Sequence, residues 1–339
     1  MTDKQTPAEA GFTMPAEWSE HAATLMAWPL HRPYWEGRVE EARREYAGIA
    51  RTVAEFEPVI MVCNPGDEGG MRNLCGSGVE PLAVPIDDSW MRDSGPIFLR
   101  NQAGRVAAVK FRFNAWGERQ PRYADDDAMP YAVAKHLGVP IFTAPFVLEG
   151  GAILTDGDGT LLTTEMCLLN PNRNPDMTRE EVEQGLRDYL GVETIVWLPY
   201  GMAGDTGPVA TDGHVDGVAH FVTPGKVLLL VPNDPDDEDH EYGRANLERL
   251  ANARDARGRS IEAVHLVGAD GANAYANCYV GNGFVIAPTV GCDKDEEGIA
   301  QLRAAFPDRE VLGLPAATIA FGGGGPHCIT QQVPAGDPA

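Results

Sequence analysis

One pattern limits the folds open to this chain more than any other: a strand, a glycine turn and a second strand recur along it. The pattern is seen in "PIFLRNQAGRVAAVKF" (Pro96 to Phe111), "AILTDGDGTLLTTE" (Ala152 to Glu165), "VAHFVTPGKVLLLV" (Val218 to Val231) and "NCYVGNGFVIAP" (Asn277 to Pro288). Each copy sets apolar or β-branched runs around a Gly-containing turn, the signature of a β-hairpin. The turn centres lie roughly 55 to 70 residues apart, the spacing of a repeated supersecondary unit.

Helical periods fill the intervals. Val39, Ala42, Tyr46, Ile49, Val53 and Phe56 repeat with helical spacing. "TREEVEQGLRDYLG" opens with Thr178 and Glu181 as a capping box and closes on Gly191 as a C-terminal cap. A third helix is predicted over Asp295 to Phe306. Hairpin, helix, strand, repeated, is an α/β architecture, but simple doubly wound sheets contain few hairpins. A ring of ββαβ units fits better, and such a ring gathers loops from every unit around one central cavity.

Polar clusters sit beside these hairpins. "PIDDSWMRDSGP" carries Asp87, Asp88, Arg92 and Asp93, and "VLEGGA" carries Glu149. "TDGHVDGVAH" carries His214 and Asp216, "GANAYANCY" (Gly271 to Tyr279) precedes a strand, and "GGGGPHCITQQVP" carries Cys328. On an extended strand, His214 and Asp216 would face the same side. Alone, that pair reads first as a buried hydrogen-bonded couple or a metal-ligand pair, and only then as catalytic groups. The glycine run reads either as a turn before a core cysteine or as a backbone that enters a crowded site without side chains. With His214 available, a Cys–His pair becomes the sharper reading. The run is not a phosphate loop, because no Lys-Ser/Thr follows it.

Asp93, Glu149 and Asp216 would raise the pKa of a thiol beside them, which disfavours a nucleophile. A substrate that brings its own positive charge removes the objection. A guanidinium is planar, and carboxylates match its N–H fork bidentately. Two acids would clamp it, a third would orient the histidine, and the bound cation would help hold the cysteine as thiolate. The net charge of −23 agrees with a cationic substrate and argues against nucleic acid or an anionic membrane as partner. The six scattered cysteines show neither a CxxC pair nor zinc-type spacing, and no cofactor or metal motif is present. There is no apolar run of about 18 residues and no signal-peptide pattern near the N-terminus, so a cytoplasmic protein is expected.

The chain resembles the agmatine deiminase family of the guanidine-modifying (pentein) superfamily. Seven segments follow in the family's order: "MPAEWSEHAATLMAWP" (Met14 to Pro29), "DDSWMRDSGP", "FNAWG" (Phe113 to Gly117), "LEGGAI", "LLNPNRNP" (Leu168 to Pro175), "DGHVDG" and "GGGGPHCITQQVP". The resemblance implies a five-bladed α/β propeller, of which four blades are visible as hairpins. It also implies one catalytic domain over residues 1–339 with an ordered core over about 10–334, and metal-free, cofactor-free hydrolysis of a guanidine to a urea and ammonia. By the match, Cys328 is the nucleophile and His214 the general acid and base. Asp93 and Asp216 bind the guanidinium, Glu149 positions the histidine, and Trp90 lines the substrate's path. Asp212 and Gly325 complete the expected substrate-binding set, and a homodimer or other homo-oligomer is expected. In many of these enzymes an acid four residues before the histidine binds the distal amine, whereas here that position is Ala210. Agmatine is therefore the default substrate, with another guanidine, amidino transfer, or cation binding without turnover as alternatives. The intact Cys–His–acid set argues against the last, since a pure binder needs no nucleophile.

Overall fold

The computed structural model describes residues 5–207, 209–268 and 275–339. Of the "GANAYANCY" segment, Gly271 to Ala274 therefore lie outside the described residues. Five sheets form among the described residues, and each contains the same core: an antiparallel pair, then a third strand parallel to the second. Four of the pairs are the hairpins expected from the sequence. Ile97–Asn101 pairs with Arg105–Arg112, Ile153–Thr155 with Thr160–Thr164, Ala219–Thr223 with Lys226–Leu230, and Tyr279–Gly281 with Phe284–Thr289. Their parallel third strands are Ile141–Val147, Thr194–Leu198, Glu262–Leu266 and Glu310–Pro315.

The fifth blade is assembled from the two ends of the chain. Strand Thr330–Pro334 runs antiparallel to His21–Ala27, which pairs in parallel with Val59–Cys63, followed by Val79–Ala83. No turn joins its first two strands, so no local pattern announces it. Its pairing closes a five-bladed α/β propeller.

In every blade a helix carries the chain from the second strand to the third, because parallel strands need a long crossover. These helices are Val39–Val53, Ala124–Leu137, Arg179–Leu190, His240–Asn252 and Asp295–Ala305. The first buries Val39, Ala42, Tyr46, Ile49 and Val53, the periodic face read from sequence. The third has the expected capping box between Thr178 and Glu181 and ends on Gly191 in the left-handed conformation. Such a box is worth about 1 kcal/mol and fixes where the helix begins. Among the described residues, no helix is long and apolar enough to cross a membrane.

Candidate active site

The ring places one short segment ahead of each blade's first strand at the centre. Asp93 precedes Ile97, Glu149 precedes Ile153, His214 and Asp216 precede Ala219, Asn277 precedes Tyr279, and Cys328 precedes Thr330. All six side chains are buried.

Asp216 sits beside the cysteine: the Cys328 thiol donates to Asp216 Oδ2 at 3.6 Å. Asn277 donates to Cys328 Sγ at 3.1 Å and accepts from the Cys328 backbone N–H at 3.3 Å. Burial pushes the thiol well above its ordinary range, and the Asp216 and Asp93 carboxylates push it further. The Gly325 backbone and the Asn277 side chain act in the opposite direction.

His214 lies among three acids. Its Nδ1 is 3.7 Å from Asp93 Oδ1 and 3.9 Å from Asp216 Oδ1, and its Nε2 is 4.0 Å from Glu149 Oε2. Burial alone would lower its pKa, but Asp93, Cys167 and Asp216 raise it well above the usual value. Neither ring nitrogen is hydrogen-bonded to another described residue. The backbone around it corrects one expectation. Val215–Gly217 is a turn of 3-10 helix, not a strand, so this turn rather than strand alternation brings His214 and Asp216 together.

The acids are held from behind. Asp93 Oδ2 accepts from Trp116 Nε1 at 2.9 Å, and its Oδ1 accepts from the Gly151 backbone at 3.0 Å. Burial raises its pKa; His214 opposes this and Asp216 adds to it. Glu149 Oε1 accepts from Arg173 Nε at 2.7 Å, leaving Oε2 toward the histidine. Burial would raise the Asp216 pKa as well, yet the hydrogen bond and charge of His327 outweigh it and hold the carboxyl below its ordinary value.

The glycines are required by contact. A Cβ on Gly151 would lie 2.6 Å from His214 Nδ1 and 2.7 Å from Asp93 Oδ1. A Cβ on Gly324 would lie 2.3 Å from Trp90 Cζ3 and 3.0 Å from Cys328 Cβ. The run ahead of Cys328 therefore lets the backbone slide under an aromatic wall. Gly325 is packed on Asn277 in the same way, its hypothetical Cβ 2.5 Å from Asn277 Oδ1.

Trp90 stacks on Trp35 with ring centroids 6.0 Å apart and donates to Tyr34 Oη at 3.1 Å. With Tyr34, Trp116, Gln120, Val209 and Thr211 it lines a narrow cleft that reaches Asp93 and Cys328. A larger cleft of about 780 Å³ runs past Asn114 and Arg173, but Cys328, His214, Asp93 and Asp216 do not line it. Volume alone does not locate the chemistry here.

Asp212, expected to face substrate, is differently engaged. It accepts from Asn172 Nδ2 and Arg173 at 2.8 Å each, and from Arg119. Two guanidinium groups thus occupy its carboxylate, and its place is behind Glu149, as the far anchor of Arg173. Asn277, Trp116, Arg173 and His327 were not picked out by sequence reasoning. Trp116 and Arg173 lie within the quoted "FNAWG" and "LLNPNRNP" segments, and Asn277 shares the other site residues' place just ahead of a hairpin, so each had a signal. His327 had none beyond adjacency to Cys328.

Among the described residues, two triads have ligand-type atoms within 4.8 Å of one another: Glu149, Cys167 and His214, and Glu17, His220 and His327. Each carboxylate already carries a buried cationic partner, Arg173 on Glu149 and Arg92 on Glu17. A divalent ion would compete with those partners, so neither triad fits a metal well.

The fold is that of the penteins: a dimethylarginine dimethylaminohydrolase structure matches 92% of this chain and 99% of its own with a TM-score of 0.52 at 15% identity. The chain belongs to the Porphyromonas-type peptidyl-arginine deiminase family, whose model matches residues 13–334. A putative agmatine deiminase of Legionella pneumophila is 40% identical over 345 residues, covering 98% of each chain. The agmatine deiminase of Pseudomonas aeruginosa is 39% identical over 97% of each. The solved agmatine deiminase of Enterococcus faecalis superposes with a TM-score of 0.94 at 30% identity over 98% of each chain.

Proposed function

We propose that this protein hydrolyses a guanidine to a urea and ammonia through Cys328, with agmatine as the substrate and N-carbamoylputrescine as the product. The observation that carries the reading is the convergence of Cys328, His214, Asp93, Glu149 and Asp216, delivered by four blades, on one buried point. The full-length likeness to agmatine deiminases supports agmatine in particular.

The guanidinium enters between Asp93 and Asp216, whose carboxylates match its N–H groups. Its charge offsets theirs, so the Cys328 thiol loses its proton. The thiolate attacks the guanidinium carbon, and His214, held as imidazolium by its acids, gives its proton to one nitrogen. The C–N bond breaks and ammonia departs, leaving a thiouronium on sulfur. Water then gives a proton to His214 and its oxygen bonds to the same carbon. The C–S bond breaks and the urea leaves as the hydroxyl proton of that adduct passes to the departing sulfur, restoring the Cys328 thiol, while the proton first lost from the thiol ends on ammonia as ammonium. Glu149, fixed by Arg173, keeps the histidine cationic and in place.

A second reading concerns the far end of the substrate. Ala210 is buried and apolar, and the cleft is walled by Tyr34, Trp90 and Trp116. Aromatic faces bind a cation with about 0.5–2 kcal/mol, less selectively than a carboxylate. Ammonia release should therefore be measured separately with agmatine, arginine and a guanidino acid. Turnover of agmatine far above the other two supports the leading reading. Rejection of agmatine with turnover of another guanidine replaces the substrate but keeps the chemistry, and no release from any of them, with substrate unchanged, refutes both.

A further inference from the structure

Behind the acids lies a charged cluster that the mechanism above does not use. His327 is fully buried, and both its ring nitrogens meet carboxylates: Nδ1 is 2.8 Å from Asp216 Oδ2 and Nε2 is 2.8 Å from Glu17 Oε1. Arg92 donates to the His327 carbonyl at 3.2 Å and lies 3.5 Å from Glu17 Oε1. His220 stands across the ring, its Nε2 3.7 Å from Glu17 Oε2. The Cys328 thiol and Asn277 close the side toward the substrate.

A neutral imidazole has one donor and one acceptor, whereas an ionised carboxylate only accepts. Two carboxylates can be satisfied together only by a ring protonated on both nitrogens, unless one carboxyl carries the proton instead. The charges decide between these. Glu17 and Asp216 are both held below the ordinary carboxylate range, Glu17 far below it, by His327 and Arg92 against the cost of burial. Burial pushes His220 down to about 4, so it is neutral. Two anions, Glu17 and Asp216, then balance two cations, Arg92 and His327. A buried cluster that balances avoids the penalty of several kcal/mol for an unpaired ion.

We propose that His327 is a positioning residue: a permanent buried imidazolium that holds Asp216 ionised and aimed at the guanidinium site, with Glu17 as its counter-ion. The His327 bond takes Oδ2 of Asp216 and turns Oδ1 toward His214 and the substrate. Without that cation, Asp216 keeps only the charges of His214 and Arg92 to oppose its burial, and it takes up a proton more readily.

The kinetic test rests on the deiminase reading. In His327→Asn, a donor toward Asp216 remains but the charge is gone. KM for the best guanidine should rise about 10-fold or more at neutral pH and recover as pH rises. The acid limb of kcat/KM should move up by about 1 pH unit or more, with kcat at alkaline pH changed only a few-fold. Glu17→Gln in the same chain removes one anion with the one cation and should move the acid limb back toward wild type. A folded His327→Asn protein with an unmoved acid limb, or a pH-independent loss confined to kcat, overturns the proposal. If that variant does not fold, or no guanidine is turned over, 15N-histidine NMR of the wild-type chain decides. His327 should carry protons on both nitrogens at about pH 8, where a free histidine is neutral. A single-proton ring at that pH refutes it.

Discussion

Replacing Asp216 by Asn should make Cys328 a better nucleophile and the protein a worse enzyme. Asp216 Oδ2 lies 3.6 Å from Sγ, with both groups buried. At an effective dielectric constant of about 20, a carboxylate that close opposes thiolate formation by about 4.6 kcal/mol, or roughly 3.4 pH units. His327 offsets part of this, so that figure is the ceiling. Asparagine removes the charge and leaves the imidazolium of His327 nearby, which adds to the fall in thiol pKa. The guanidinium meanwhile loses one of its two carboxylates, and breaking a buried ion pair costs about 3–5 kcal/mol, a loss of at least 100-fold in kcat/KM. Thiolate formation can be followed by absorbance near 240 nm and by the pH dependence of carboxymethylation with iodoacetamide, with Cys328→Ser as the blank. The blank matters because Cys292 is half-buried and also reachable. An Asp216→Asn thiol that titrates at the wild-type pH or above would refute the idea that the acids suppress the thiolate until substrate arrives.

Other consequences can be checked as directly. Gly151→Ala would thrust a methyl group between His214 and Asp93, at 2.6 and 2.7 Å, so kcat/KM should fall about 100-fold while urea unfolding registers a loss of about 1–3 kcal/mol; near-normal turnover would show that the box is not tightly packed. Cys328→Ser should abolish ammonia release and leave the circular dichroism spectrum unchanged, and substantial residual turnover would rule out the covalent route. His220, with a folded pKa of about 4 against an unfolded value near 6.5, stabilises the fold above about pH 6.5, and that contribution is lost as pH falls to about 4. His220→Phe should therefore gain on wild type by about 3 kcal/mol over that interval, read from urea midpoints, and parallel pH profiles would contradict it.

The four hairpins, three of the crossover helices and five of the central polar residues were legible because each depends on short-range patterns. Alternation, helical period, a capping box and a glycine turn all involve residues a few positions apart. The fifth blade was not legible, because its antiparallel pair joins His21–Ala27 to Thr330–Pro334 and has no turn to mark it. The same limit hid His327, whose importance lies in partners far along the chain: Asp216 and Glu17. Asp212 shows the converse. Beside His214 in sequence, it is drawn off to Arg119 and Arg173 by a left-handed backbone turn at φ 62°. Sequence by itself determined the repeating unit and the kinds of side chain delivered to the hub. Closure of the ring decided which of them meet, and burial then decided their charges, because a desolvated ion is stable only beside the partners that tertiary packing supplies.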